Sequence, residues 1–379
     1  MNIHLSHYVP TKHMSLPRIR TGYERVVAHR CKPPFSYAAE EDGTIEKIDN
    51  DAHMLIVYYP GSKKRITVEF GDLYTNNGGG GFYATQNIVI NGFKQGDKVK
   101  RGDVIVYNEK FFFADPFTKQ VDLGFGELAN VALIDNAKTV EDSSIISKKL
   151  ADALEFNPVH PRDIVITKQT TIHKYAAVGT VVSNTDPLMV FDQSVISDDM
   201  FGGIDDEASQ LLANINRRTP KAKFTGTIVK IDVFYLGDTT DMSSSAKNLV
   251  NSVNREKAKR AAISKDTANA SDFPAGTKIT QSTRIGKTVL DENTLIVRFY
   301  IQQTQAMAGG DKNEFGSSSK SVCIGSDENG WTTEDGLTVD ALFSQLGLLK
   351  RLISSPQLMG IANRCLEKIE NDVLDMYFK

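Results

Sequence analysis

Apolar positions change period along this chain, and the changes predict its elements. From residue 21 to 130 they alternate or run in short β-rich blocks. "GTIEKI" (43–48) and "HMLIVYY" (53–59) predict strands, and "PGSKKRITVEF" (60–70) predicts a turn and a further strand. "NNGGGGF" (76–82) predicts a flexible loop, because four glycines lose much backbone freedom on ordering. In "GFKQGDKVKRGDVIV" (92–106), two Gly-Asp turns with valine and isoleucine about them predict a tight hairpin.

The period then lengthens. "TVEDSSIISKKLADAL" (139–154) predicts a helix capped by Thr139, with Asp142 three residues on and Ile146, Leu150 and Leu154 on one face. Strands return over 172–235, as in "YAAVGTVVS" and "FTGTIVKIDVFY". The polar stretch 240–275, with "NREKAKRAAISK", predicts an exposed helical excursion. "TLIVRFYIQQTQ" (294–305) predicts a strong strand. It leads into "GGDKNEFGSSSKS" (309–321), where nothing apolar recurs and a loop carrying two lysines is expected. The end predicts a helix opened by Ser355 and Pro356, with Leu358, Ile361, Leu366, Ile369 and Val373 in a stripe. No fixed-period repeat is present.

Composition narrows the class. With 379 residues and 40% hydrophobic content, the chain suits a soluble protein of two or three domains. No apolar run approaches the roughly 18 residues of a membrane span, and the start lacks a signal peptide's apolar stretch. Cys31, Cys323 and Cys365 lie far apart with no C-x-x-C, which argues against a disulfide framework or zinc site and fits a reducing cytoplasm. His4, His7 and His13 read as part of an N-terminal arm (1–20) rather than a metal cluster. The net charge is −3, whereas a stand-alone nucleic-acid binder is usually basic. Contact with nucleic acid would therefore be through local patches, in a channel shared with other chains.

Two loop lysines among small polar residues read either as a solvated surface or as a grip on phosphates. A P-loop needs Gly directly before its Lys. Here Ser319 precedes Lys320, and no apolar helix follows. A lipoyl or biotinyl carrier would account for the hairpin around Gly96–Gly102 but leaves two-thirds of the chain unexplained. No Ser/His/Asp triad signature occurs.

The order of motifs is more specific. "TGYERVVAHR" (21–30) and "YAAEEDGTIEKID" (37–49) come first, then "GDKVKRGDVI" (96–105) and "GELAN" (126–130). "VEDSSIIS" (140–147), "TGTIVKIDVF" (225–234) and "GGDKNEFGSSSKSV" (309–322) follow. "DGLTVDALFSQLGLLKR" (335–351) and Gln357 close the series. This series resembles the second half of the β subunit of cellular multisubunit RNA polymerases. That family carries, in this order, T-G-x-E-R, a G-x-x-V-x-x-G turn, G-E-L-A-x-x-x-N, E-D-[SA]-[IL] and a G-D-K-x₇-K loop. A D-x-x-x-x-x-x-G-x-x-x-R-x-x-x-x-Q stretch ends it. Gly310, Asp311, Lys312 and Lys320 keep the G-D-K-x₇-K spacing. The resemblance covers residues 21–357, with one residue inserted before Gln357.

The chain departs from the family in places. "GSSS" replaces Arg-His-Gly-Asn before the second lysine, and "NAKT" replaces an aromatic-rich approach to the acidic pair. The chain begins just before "TGYERV" and stops soon after Gln357, without the large N-terminal lobes or the clamp-anchoring end. In this it looks like the split polymerases of giant bacteriophages, whose β and β′ are each divided between chains.

The resemblance implies an α+β, strand-rich fold. Its core would be a double-psi β-barrel from 21–165 and 296–379, with a flap-like insertion at 166–295 and C-terminal helices. It implies that Lys312 and Lys320 line the RNA 3′ end and the RNA–DNA hybrid. Arg25 and Arg351 match arginines that reach the incoming NTP triphosphate, where a planar fork binds phosphate bidentately. Glu141 and Asp142 match an acidic pair near the second metal; Asp142 reads equally as a cap carboxylate at a helix N-terminus. Gln357 matches the last position.

The family's metal-chelating D-x-D-x-D loop belongs to β′ and is missing here, and the pairs at 198–199 and 205–206 read as solvated loop acids. Mg²⁺ is thus expected mainly on a β′-like partner, with none bound by this chain alone. Expected partners are β′-like chains, the remaining β-like chains, DNA template, RNA transcript, NTPs and a promoter-specificity factor at the flap. The expected location is the host cytoplasm or a virion. The rival reading is a non-catalytic structural or carrier protein built on the same barrel.

Overall fold

The computed structural model describes residues 9, 11–12, 14–77, 82–124, 126–192, 217–286, 288–316, 319–350 and 354–379. Of the glycine loop expected at 76–82, Asn76, Asn77 and Phe82 belong to paired strands, and 78–81 lies outside the described residues, as do His4, His7 and His13, the aspartate pairs at 198–199 and 205–206, and Arg351.

The chain is α+β and strand-rich, with several largely antiparallel sheets, and among the described residues none closes on itself. The largest is nine-stranded. Its main path runs Ser36–Ala38, Val104–Asn108, Phe82–Ile90, Pro158–Thr167, Thr294–Gln302, Gly226–Leu236 and Val181–Val182. Thr294–Gln302 lies between Pro158–Thr167 and Gly226–Leu236. Its alternation explains its place. Leu295, Val297, Phe299 and Ile301 enter one core, while Ile296, Arg298 and Tyr300 face the other way. The first face packs on Ala246, Leu249 and Val250 of a helix, Ser244–Ser264, and on Ile172, Met189 and Phe191 of a three-stranded sheet. The boundaries expected at 165/166 and 295/296 fall inside the paired strands Pro158–Thr167 and Thr294–Gln302.

The second face of this sheet carries charge. Asp163, Arg298 and Asp232 stand in one cross-strand row. The Arg298 guanidinium donates to both Asp163 carboxylate oxygens at 2.6 and 2.8 Å. Asp232 is buried between Lys257 at 2.7 Å and Lys230 at 3.0 Å. Burial pushes the Asp232 carboxyl up, but the two lysines outweigh it and hold the group below its usual range.

Several local expectations give way to pairing. The Gly-Asp turns form: Gly96 and Gly102 take φ of +92° and +93°, and Asp97 and Asp103 accept from the Lys94 and Lys100 N–H groups. They do not join a hairpin. Lys98–Val99 pairs with Gly43–Asp49 in a four-stranded sheet, whereas Val104–Asn108 joins the nine-stranded one. The glycine N–H groups bond to Ile45 and Ala39 carbonyls at 2.8 Å each, so the 39–45 segment takes the bonds a hairpin would use.

The helix expected over 139–154 is only Lys148–Ala153, capped by Ser147, whose hydroxyl accepts from the Leu150 N–H. Ser143–Ser147 is a strand. Thr139 does not cap; its hydroxyl bonds to the Ile134 carbonyl, and Glu141 at φ +55° breaks any helix there. Ile146 and Leu150 still share a core, with Leu154 packed beside it.

The polar stretch 240–275 is helical, but it is anchored at both ends. Beyond the buried first turns, Arg260 pairs with Glu69, and the Asn269 side chain bonds the Thr67 N–H and C=O at 2.9 Å each, in the manner of a neighbouring strand. The C-terminal helix is Ser355–Phe378. Ser355 is its first residue rather than its cap, and Leu358, Ile361, Leu366, Ile369 and Val373 are all exposed. Among the described residues no helix is long and apolar enough to cross a membrane.

Candidate nucleic-acid interface

The stretch 309–321 is a hairpin and not a loop. Lys312–Phe315 pairs antiparallel with Ser319–Asp327 at the edge of a five-stranded sheet. The order continues through Ser143–Ser147 and Ala341–Phe343 to Val131–Leu133. Gly310 and Asp311 set its start. Gly310 at φ +96° donates to the Cys323 carbonyl, the Asp311 carbonyl accepts from Cys323 N–H, and the Asp311 carboxylate accepts from Ala308 N–H at 2.9 Å. Only glycine takes that φ without strain.

The hairpin has two unlike faces. Phe315 and Cys323 point into a core with Ile146, Leu150 and Ala341, and Ser319 and Ser321 are buried on the same side. Lys312, Lys320 and Val322 point outward. Lys312 stands opposite Val322 and Lys320 opposite Glu314, so the lysines are diagonal neighbours. Such neighbours lie about 7–8 Å apart.

The acidic pair joins them through the next strand. Ser143 pairs with Val322 in parallel register, and the Asp142 carbonyl accepts from the Val322 N–H at 2.9 Å. Exposed Glu141 and Asp142 thus sit at the same corner as the two lysines, although 170 residues separate Asp142 from Lys312. A short helix, Gln345–Leu349, rests on Glu141. Ser344 caps it, accepting from Gly347 N–H at 3.0 Å and donating to Asp135 at 2.8 Å.

Gly347 is required there by contact. A Cβ at this position would stand 2.2 Å from the Glu141 carbonyl oxygen, a backbone atom that cannot swing aside. Gly347→Ala is expected to lower the unfolding free energy of the full chain by about 1–3 kcal/mol, the usual range for overpacking. Urea denaturation measures it, and an unchanged midpoint would remove this contact from the account of the corner.

Arg25 and Gln357 stand on other elements. Arg25 lies on a short helix, Glu24–Val27, over the core of Phe111, Phe112 and Leu123. Its side chain is 66% exposed, with Asp122 at 3.9 Å. Its neighbour Glu24 is buried. Burial pushes that carboxyl up, but hydrogen bonds from Thr21 and nearby backbone outweigh it and hold it low. Arg351 lies outside the described residues. Gln357 is half-buried in the first turn of the C-terminal helix, its N–H on the Ser354 carbonyl.

The surroundings of the lysines could not be read from the sequence. Val322 and Ile324 are 40% and 45% exposed beside them, while serines and a cysteine point inward. The alternation was present in "SKSVCIG", but with polar residues in and apolar residues out. Among the described residues no three His, Cys, Asp or Glu side chains converge as a metal site. Glu141 and Asp142 offer hard oxygen donors of the kind Mg²⁺ takes together with substrate phosphates.

No protein-family model matches the chain, and no curated protein matches it.

Proposed function

We propose that the chain is a β-like subunit, corresponding to the C-terminal part of β, of a multisubunit DNA-dependent RNA polymerase. The observation that carries this reading is the diagonal Lys312–Lys320 pair on one exposed sheet face, with Glu141 and Asp142 at the same corner. The ordered sequence motifs contain these same four residues. Within this reading, the sheet uniting 131–147 with 312–343 belongs to the double-psi barrel whose two halves flank the flap-like region.

The chemistry is nucleotidyl transfer. An RNA 3′ end and a triphosphate, both anionic, must approach closely. Lys312 and Lys320 offset that repulsion, and fixed cations do so most strongly where water is partly excluded. They bind phosphate without reading sequence, which suits an enzyme that accepts every base. Arg25 and Arg351 serve the incoming NTP phosphates in this reading, and Gln357 lines the same channel. Mg²⁺, when bound mainly by a β′-like partner, supplies Lewis-acid stabilisation of the transferred phosphoryl group. Glu141 and Asp142 are the acids of this chain that would lie near it in this reading. DNA template, RNA transcript and the remaining β-like chains complete the assembly, with a specificity factor at the flap, in the host cytoplasm or a virion.

The test is reconstitution. Alone with Mg²⁺ and NTPs, the chain is expected to make no templated RNA. With β′-like chains carrying D-x-D-x-D and the remaining β-like chains, it is expected to do so. Native mass spectrometry identifies those partners. Templated synthesis by the isolated chain would sink the proposal.

A further inference from the structure

Pro158–Thr167 is left with an open edge. On one side it pairs with Thr294–Gln302 from Val159 to its end. On the other it meets Phe82–Ile90 only at Pro158 and Val159, and among the described residues no strand pairs with 160–167 there. The direction of its backbone groups follows from the bonds at its two ends. The Pro158 carbonyl accepts from Gln303 N–H at 2.9 Å, and the Lys168 N–H donates to the Asn293 carbonyl at 2.9 Å, so even positions bond toward Thr294–Gln302 and odd positions point outward. The Thr167 N–H accordingly turns to the Thr170 hydroxyl at 3.1 Å. Val165 presents both its N–H and its C=O at the edge, and among the described residues neither has a partner. Its side chain is 45% exposed. Pro161, which has no N–H, and the bond from Thr167 to Thr170 bound this window at either end.

A groove of about 400 Å³, open to solvent, lies beside the window. Residues 162–165 line it from the strand, and Phe191, Arg218, Thr219 and Pro220 line it from the three-stranded sheet and the residues after it. Its charge is positive. Asp163 is held through both oxygens by Arg298, and Asp192 lies between His173 at 2.6 Å and Arg217 at 3.8 Å. Arg162 and Arg218 have no carboxylate partner among the described residues; Arg162 donates only to the Lys221 and Asp163 carbonyls, at 3.3 and 3.4 Å. A strand edge that offers an N–H and a C=O together is matched by another extended polypeptide backbone. Phosphates would accept from the N–H but have no donor for the C=O. We propose that the edge at Val165 pairs with an extended acidic segment of a partner protein. Two backbone hydrogen bonds at Val165 set the register, and the partner's carboxylates lie against Arg162 and Arg218. The inference does not rest on the polymerase reading.

The test is anisotropy of end-labelled, capped eight-residue peptides titrated with the full chain. The first peptide alternates glutamate with valine, and the second has lysine in place of glutamate. Two further copies of the first carry N-methyl groups, one on every valine nitrogen and one on every glutamate nitrogen. The glutamate peptide is expected to bind saturably and the lysine peptide not to bind. Alternate residues of an added strand turn their N–H groups to the edge, so one N-methylated copy, and not the other, is expected to bind. Val165→Pro deletes only the outward N–H and is expected to weaken binding about 10-fold or more. Val165→Thr keeps that N–H and is expected to bind as wild type, which guards against a folding defect in the proline variant. Arg162→Gln with Arg218→Gln is expected to cost about 10-fold or more, as charge-assisted bonds are lost. Equal binding by the two N-methylated copies, equal binding by the lysine peptide, wild-type affinity in Val165→Pro, or no binding of the glutamate peptide at about 1 mM would overturn the proposal.

Discussion

Lys312→Ala combined with Lys320→Ala is expected to leave the chain folded and to lower RNA extension by the assembled enzyme about 100-fold or more. Both side chains are exposed on the sheet surface, where substitutions usually change stability by no more than about 0.5 kcal/mol. Each charge-assisted hydrogen bond to phosphate is worth about 1.5–3 kcal/mol, so two lost together give roughly 10²- to 10⁴-fold. The loss has a salt signature. Removing two phosphate contacts should flatten the dependence of log K on log salt by about 1.4–1.8. Gel filtration shows whether the complex assembles, and primer extension on a preformed RNA–DNA scaffold shows whether it works. Wild-type extension by the double variant would return both lysines to the status of surface charges.

Arg298→Ala is expected to produce the largest loss of stability, about 3 kcal/mol. Arg298 stands on the middle one of three long paired strands, and its side chain is 13% exposed, against 25% for Asp163. Truncating it leaves the Asp163 carboxylate largely buried and unpaired, and breaking one side of such a pair usually costs about 3–5 kcal/mol. The lower end applies because Asp163 keeps some contact with water. Asp232 is protected from the same fate, since Lys230 and Lys257 remain beside it. Replacing both partners together, Arg298→Met with Asp163→Leu, should recover most of the loss, because the pair contributes little beyond the cost of its own burial. Urea denaturation of the three chains measures both steps. A single variant within about 0.5 kcal/mol of wild type would show that the row of charges is solvated. Thr294–Gln302 also leads directly to the lysine hairpin, so its register helps fix where the hairpin begins.

The strands at 43–49, 54–59 and 294–302 and the helix at 355–378 were legible because their side-chain periods repeat over enough residues to be read locally. The candidate residues stood out as spacing: Gly310, Asp311 and Lys312, then Lys320, with Glu141 and Asp142 far upstream. Other elements were not. "SSIIS" carries too short an apolar signal to oppose the helical pattern that follows it, and it became a strand only because Ser319–Asp327 and Ala341–Phe343 lie on either side to bond it. The paired Gly-Asp turns have the local chemistry of a hairpin, yet the 39–45 segment captured their bonds and sent the two strands to different sheets.

The lysine stretch shows the division most sharply. By itself the sequence determined two cations eight residues apart and a glycine-aspartate turn before them. Only the tertiary structure decided that they share one exposed face, that Val322 and Ile324 lie outward beside them, and that the acidic pair closes the corner. The reason is that a sheet draws its hydrogen bonds from strands distant in sequence. Local preference can propose a strand, but which residues it sets side by side depends on partners that no short stretch contains.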